Sequence, residues 1–228
     1  MGNFANCFDY LQYNNSHFLV EEKKTNSILS RTIKKKIIMS NVYITKASTY
    51  LPNDPVSNDE MEQYLGLVNN KTSKARPLIL RNNGIKTRYY ALDKNQKPTH
   101  TNAEITALAV EGLFDENFKK EDMELLSCGT TSADQIQPSH ASMVHGVLKP
   151  GKSIGINTSM GLCNAGMNAL NYGFLSVKAG ATENAICVGS ERFSSWMTAD
   201  KFNHEVENLK LLEEKPIVAF KREFLRWM

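Results

Sequence analysis

Apolar positions along this chain change period repeatedly between Val42 and Ser190, with short extended runs giving way to helical stripes and back. Val42-Tyr43-Ile44-Thr45 reads as a strand, ended by the turn-forming Leu51-Pro52-Asn53-Asp54-Pro55. Ser57-Asn58-Asp59-Glu60 has the form of a capping box and predicts a short helix through Leu65, stopped by Gly66. After Pro77, Asn83-Gly84 predicts a turn into an extended segment reaching Tyr90. Thr101-Asn102-Ala103-Glu104 is a second capping box, followed at helical spacing by Ile105, Leu108, Ala109 and Leu113. A strand over Leu125–Thr130 leads into a polar loop closed by Pro138, and Ser139 to Leu148 is again helical. A β-prone run from Ser153 hands over to a helix at Cys163, and Asn184–Ser190 is a further apolar strand. Beyond it, Glu205–Glu214 reads as a charged helix, Ile217–Phe220 as a short apolar run and Arg222–Met228 as an amphipathic end.

Strands bounded by helices in this alternation predict the α/β class, a largely parallel sheet with helices on its faces. Ligands of such sheets gather at the loops beyond the strand ends. The helix after Cys163 carries large residues on one face, Met167, Leu170, Phe174 and Val177, and small ones on another, Ala165, Ala169 and Gly173. Packing on two sides explains that division, with a second helix against the small ridge; a simple core helix is the alternative. Packed between two layers, the thiol would lie buried at the base of a pocket.

Residues 1–38 have no clear period and are expected to be a flexible extension; residues 39–228 are expected to form the domain. Met39 directly precedes the first expected strand and is a candidate start. The chain stops on Leu225-Arg226-Trp227-Met228 without a cap or polar tail, so truncation within the domain is expected.

Composition narrows the function. A net charge of +3 over 228 residues, without a basic stripe, gives no footprint for nucleic acid. The apolar runs are too short for a bilayer and the N-terminus has no signal-peptide core, so a soluble cytoplasmic protein is expected, with no membrane partner. Cys7, Cys128, Cys163 and Cys187 are scattered, unlike a metal cluster or disulfide framework. His140 and His145 are not at the spacing of helical metal ligands, and no glycine-rich nucleotide loop is present. Neither a metal nor a permanently bound cofactor is expected.

What remains is Cys163. The first turn of a helix has unpaired N–H groups and the positive end of the macrodipole, which favour a thiolate and would stabilise a developing oxyanion. A small buried apolar residue is the competing explanation. Asn157-Thr158-Ser159-Met160-Gly161 is a weaker competitor: it occupies the position of a serine nucleophile elbow, but lacks the first glycine and places its serine too early.

Taken in order, several segments resemble the β-ketoacyl-acyl-carrier-protein synthase III family of the thiolase fold. They are Tyr50-Leu51-Pro52, Arg81-Asn82-Asn83-Gly84-Ile85 with Arg88, Thr130-Thr131-Ser132 with Pro138-Ser139, Gly161-Leu162-Cys163-Asn164-Ala165-Gly166, Lys178-Ala179-Gly180 and Val188-Gly189-Ser190-Glu191. The resemblance implies a thiolase-like mixed, mostly parallel sheet with helices on both faces, this chain being the N-terminal half of a duplicated fold. It implies a decarboxylative Claisen condensation in fatty acid or related lipid, pigment or polyketide biosynthesis. In that reaction Cys163 takes an acyl group from acyl-CoA or acyl-ACP and is then attacked by the carbanion of malonyl-ACP.

Acyl carrier protein and a second subunit, identical or related, are the implied partners, and Arg81 is implied in contacting the CoA-type donor. The family's decarboxylating His and Asn come from the second half of the fold, so this chain alone is expected to be inactive. Pro77 stands where starter-unit enzymes carry a CoA-stacking Trp, a second CoA-contacting Arg is replaced near Ser195, and Gln137 replaces the Phe that floors the partner's acyl pocket. These departures imply a different acyl chain, carried by a carrier protein. The alternative is a non-catalytic ketosynthase-like partner subunit or an inactive fragment.

Overall fold

The structure, a computed structural model, describes residues 41–74, 76–202 and 226–227. The expected extension over residues 1–38, the helix over 205–214 and the run over 217–220 lie outside these residues. In chain order the elements are β1 (Val56–Ser57), α1 (Met61–Leu65), α2 (Arg76–Asn83), β2 (Thr87–Arg88), α3 (Asn102–Glu111), β3 (Leu125–Gly129), α4 (His140–Leu148), β4 (Gly155–Ser159), α5 (Ala165–Lys178) and β5 (Ile186–Gly189).

The main sheet has the order β4-β3-β5, with both pairings parallel. Its central strand β3 is buried at every residue because both faces are covered. On one face Leu126 and Cys128 enter a core with Ala107 and Val110 of α3 and Ala141 and Val144 of α4. On the other, the Ser127 hydroxyl donates to the Ala169 carbonyl of α5 at 2.9 Å. Helix, sheet and helix thus form the layers expected of the α/β class.

The capping box at Thr101 forms in both directions and opens α3, the Glu104 N–H donating to the Thr101 hydroxyl at 3.1 Å and the Thr101 N–H to the Glu104 carboxylate at 2.7 Å. At Ser57 only the glutamate half forms, with Glu60 accepting from the Ser57 N–H and hydroxyl. Helix α1 begins after it and ends, as expected, at Gly66. Ser139 caps α4 through its hydroxyl.

Two local expectations are corrected. Helix α2 occupies the stretch after Pro77 that carried no helical reading. Pro77 is its second residue, where an N–H has no helical partner to lose, and Gly84 at φ +70° stops it. Val42–Thr45 is not part of any described sheet; Ile44 is 79% exposed, and without a ladder partner among the described residues a short β-prone run gains nothing from being a strand. Side-chain anchors hold the residues after it: Lys46 pairs with Asp115 at 2.6 Å, and Ser48 bonds the Ala109 carbonyl.

The small ridge of α5 is also placed differently from expectation. Ala165, Ala169 and Gly173 are the buried residues of α5, and they face the sheet rather than a second helix. A β-carbon on Gly129 would overlap the Ala165 carbonyl, and one on Gly173 would overlap the Cys187 sulfur. Small residues on both sides let the helix settle directly on the strands. The large face is consequently outward, with Met167 61% exposed and Phe174 44% exposed.

A second core gathers β1, α1, α2 and β2, which pairs antiparallel with β1, around Met61, Leu65, Tyr90 and Trp227. Beside Trp227, the Arg226 guanidinium donates to the Leu65 and Gly66 carbonyls at 2.9 Å and 2.7 Å, a cation at the C-terminus of α1.

Candidate active site

The chain leaves β4 through Gly161 and Leu162, the latter in the left-handed region at φ +51°. Leu162–Asn164 make a single 3-10 turn, and α5 starts at Ala165. Cys163 therefore sits just ahead of the α-helix rather than at its first position. Its thiol is exposed, not buried as a two-layer sandwich would require, since the outer face of α5 is uncovered among the described residues. The Asn164 N–H bonds the Gly161 carbonyl at 3.1 Å and the Ala165 N–H bonds the Leu162 carbonyl. Two of the amides expected to serve an oxyanion are already engaged inside the turn.

Glycines fix where this turn lies. Gly129 ends β3 beneath Ala165, and a β-carbon on Gly189, at the end of β5, would stand 3.2 Å from the Gly166 Cα. The thiol-bearing turn is thereby drawn onto the carboxyl ends of the strands, where the sequence places a ligand site. Here a cavity of about 400 Å³ is lined by Cys163, Gly166, Gly189, Ser190, Thr131 and Phe193, among others. A neighbouring cavity of about 660 Å³ shares Gly189, Ser190, Glu191 and Phe193 with it. Phe193 meets Trp196 edge-on, their ring centroids 5.1 Å apart.

The polar walls are tied together. Glu191 accepts from the Thr131 and Ser132 N–H groups at 2.7 Å and 3.0 Å and from the Ser132 hydroxyl at 2.6 Å, joining the loop after β3 to the loop after β5. Asn102 donates to Thr130 Oγ1 at 2.8 Å, and Asp134 accepts from the Asn102 and Ala103 N–H groups, linking the same loop to the start of α3. Arg192 pairs with Asp134 at 3.3 Å. Behind Ser190, Thr106 Oγ1 stands 3.1 Å from His140 Nε2, with the ring 1% exposed and burial pulling its protonation below the ordinary range.

Of the other thiols described, Cys128 is buried and desolvation pushes its pKa to about 12; Cys187 lies against Gly173, and burial raises it as well. Both carry less thiolate than an ordinary cysteine. Arg81, implied in donor contact, is exposed in the last turn of α2 and lines neither cavity. Cys163 and Arg81 are thus not brought to one cavity. No group of three potential metal ligands occurs among the described residues, where also no helix is long and apolar enough to cross a membrane. Thr106, His140 and Asn102 were not picked out as site residues in the sequence because they come from separate elements without any spacing rule; Glu191 stood only in a segment of the family resemblance, and Ser190 there and at the end of an expected strand.

No family model matches the chain. Solved structures place it in the class of thiolase-like α/β folds. The 3-oxoacyl-[acyl-carrier-protein] synthase III of Aquifex aeolicus aligns with a TM-score of 0.53 at 23% identity, over 65% of this chain and 44% of its own. A tetronic acid condensing enzyme aligns with a TM-score of 0.55 at 21% identity, over 73% and 49%. Among curated proteins, the β-ketoacyl-[acyl-carrier-protein] synthase III of Clostridium perfringens is 28% identical over 158 residues, 68% of this chain and 44% of that protein. The Neisseria gonorrhoeae protein of the same name is 29% identical over 151 residues, 66% of this chain and 44% of its own. The chain is a homologue of these synthases and spans less than half of their length.

Proposed function

We propose that this chain is the cysteine-bearing part of a β-ketoacyl-[acyl-carrier-protein] synthase III-like acyltransferase. The observation that carries this is the placement of Cys163, an exposed thiol in a turn that glycine contacts hold at the carboxyl edge of a parallel sheet, beside a cavity. A thioester donor, acyl-CoA or acyl-ACP, transfers its acyl group to this sulfur. The acyl-enzyme is then the electrophile for the carbanion of malonyl-ACP, in fatty acid or related lipid synthesis. Carrier protein is the partner that delivers malonyl, and a reducing cytoplasm keeps the thiol available. Arg81, which lines neither cavity, acts in this scheme on a part of the donor that lies outside them. The residues for decarboxylation belong to a second half-fold, so the chain by itself acylates but does not condense.

The test is incubation with octanoyl-CoA followed by peptide mass analysis. An octanoyl adduct on the Cys163 peptide, absent in Cys163→Ala, is expected; an adduct that persists in that variant, or no adduct in the parent chain, refutes the assignment.

A further inference from the structure

We propose that Glu191 selects which acyl groups load Cys163, admitting uncharged chains and turning away short ones that end in a carboxylate; this specificity role rests on the acyl-transfer chemistry above. Cys163 and Glu191 line the same cavity of about 400 Å³, and Glu191 is the one Asp, Glu, Lys, Arg or His among the described residues that line it. In the transfer the Cys163 sulfur bonds to the acyl carbon, the bond from that carbon to the donor sulfur breaks, and the donor leaves as a thiol with the proton that Cys163 gave up. The acyl group now on Cys163 shares the cavity with the Glu191 side chain.

That side chain is fixed in place and its charge is left uncompensated. The carboxylate accepts from the Thr131 and Ser132 N–H groups and the Ser132 hydroxyl, neutral donors that orient it without cancelling its charge. Ser132 Oγ accepts in turn from the Arg192 N–H at 2.7 Å, so the two loops hold each other. The Arg192 guanidinium is engaged elsewhere, pairing with Asp134 at 3.3 Å and donating to the His100 carbonyl at 3.3 Å. Glu191 itself forms no ion pair among the described residues. Burial disfavours the charged form of His140, behind Ser190, so that ring is a poor counter-charge. Arg88 lines only the neighbouring cavity, where it donates to Asn58 Oδ1 and the Trp227 carbonyl.

A short acyl group ending in a carboxylate therefore meets a like charge and no cation in the first cavity. An uncharged chain of similar length meets the same walls, Leu162 and Phe193 among them, without that repulsion. The malonyl group, itself a carboxylate, is thereby kept as the attacking partner rather than loaded onto Cys163.

The experiment measures acylation rates of Cys163 in the full chain with hexanoyl-CoA and with glutaryl-CoA, read by peptide mass. Both donors carry the same CoA, so its phosphates cancel in the ratio of the two rates. Glu191 is exposed and partly screened by water, and the preference for hexanoyl is expected to fall roughly 10-fold in Glu191→Gln. Glu191→Asp disturbs the contacts with Thr131 and Ser132 but keeps the charge, and should keep most of the preference. In the parent chain the preference should also shrink as NaCl rises from ~0.02 M to ~0.5 M, with a weaker response in Glu191→Gln. An unchanged ratio in Glu191→Gln, equal ratios in the Gln and Asp variants, or a parent ratio indifferent to salt would each overturn the role of Glu191 while leaving acyl transfer standing. Absence of any hexanoyl adduct on Cys163 in the parent chain would instead overturn acyl transfer itself, and this inference with it.

Discussion

Gly129, Gly166 and Gly189 let three backbones meet beneath the thiol, and their surroundings rank what a methyl group would do at each. At Gly129 the added carbon would strike the Ala165 main chain, which cannot step aside without moving the start of α5. At Gly166 it would meet only the Gly189 Cα, 3.5 Å away. Gly129→Ala is therefore expected to lower unfolding stability by about 1–3 kcal/mol, and Gly166→Ala by much less. Urea titration of the two variants checks the order. His140 gives a pH dependence of definite sign. Burial depresses its folded pKa, opposed by the Asp134 and Glu191 carboxylates, so the unfolded chain takes up its proton first as pH falls. The contribution of the neutral ring is complete above the unfolded value of about 6.5 and is lost below it. Urea midpoints measured from pH 7.5 down to 5 should fall for the parent chain and fall less steeply for His140→Asn.

At the scale of elements, β3, α3, α4 and β5 were legible because each combines a period with a punctuation mark: a capping box, a serine cap, or an apolar run bounded by polar loops. Helix α2 was hidden by Pro77, since a proline that opens a helix and one that breaks it look alike until the fold shows which amides lack partners. Val42–Thr45 failed for the opposite reason, having β-prone residues and no strand to pair with among the described residues. The two-faced pattern of α5 predicts packing on both sides; composition could not say which side would receive the sheet, and the large face is uncovered among the described residues. The close approach demanded by Ser127 and Gly129 on β3 decided it. Around the thiol, the sequence singled out Cys163 as a candidate, while the triangle of Thr106, His140 and Ser190 spans α3, α4 and the end of β5 and exists only once those elements pack.

For the whole molecule, the outward face of α5 dominates behaviour in solution. Among the described residues, Met167, Tyr172, Phe174 and Leu175 are each more than 40% exposed, apolar area of the kind that drives association. Sedimentation velocity across a concentration series should show the chain forming larger species, and the double variant Phe174→Glu with Leu175→Lys should shift it toward monomer while leaving the buried ridge of α5 intact. Condensation is not part of what we propose for the isolated chain, which covers 44% of the length of its curated relatives. A malonyl-ACP assay on the isolated chain should return no β-ketoacyl product.

The edge-on contact of Phe193 and Trp196 makes the rim of the cavity optically addressable. The chain has two tryptophans; Trp227 is sealed in the second core, where its emission stays constant, while half-exposed Trp196 leans on a ring that faces the cavity shared with Cys163. Occupancy of that space, by an acyl chain or by anything else that displaces water from Phe193, registers as a change in the colour of one indole against the steady background of the other, so loading can be followed in real time without a label.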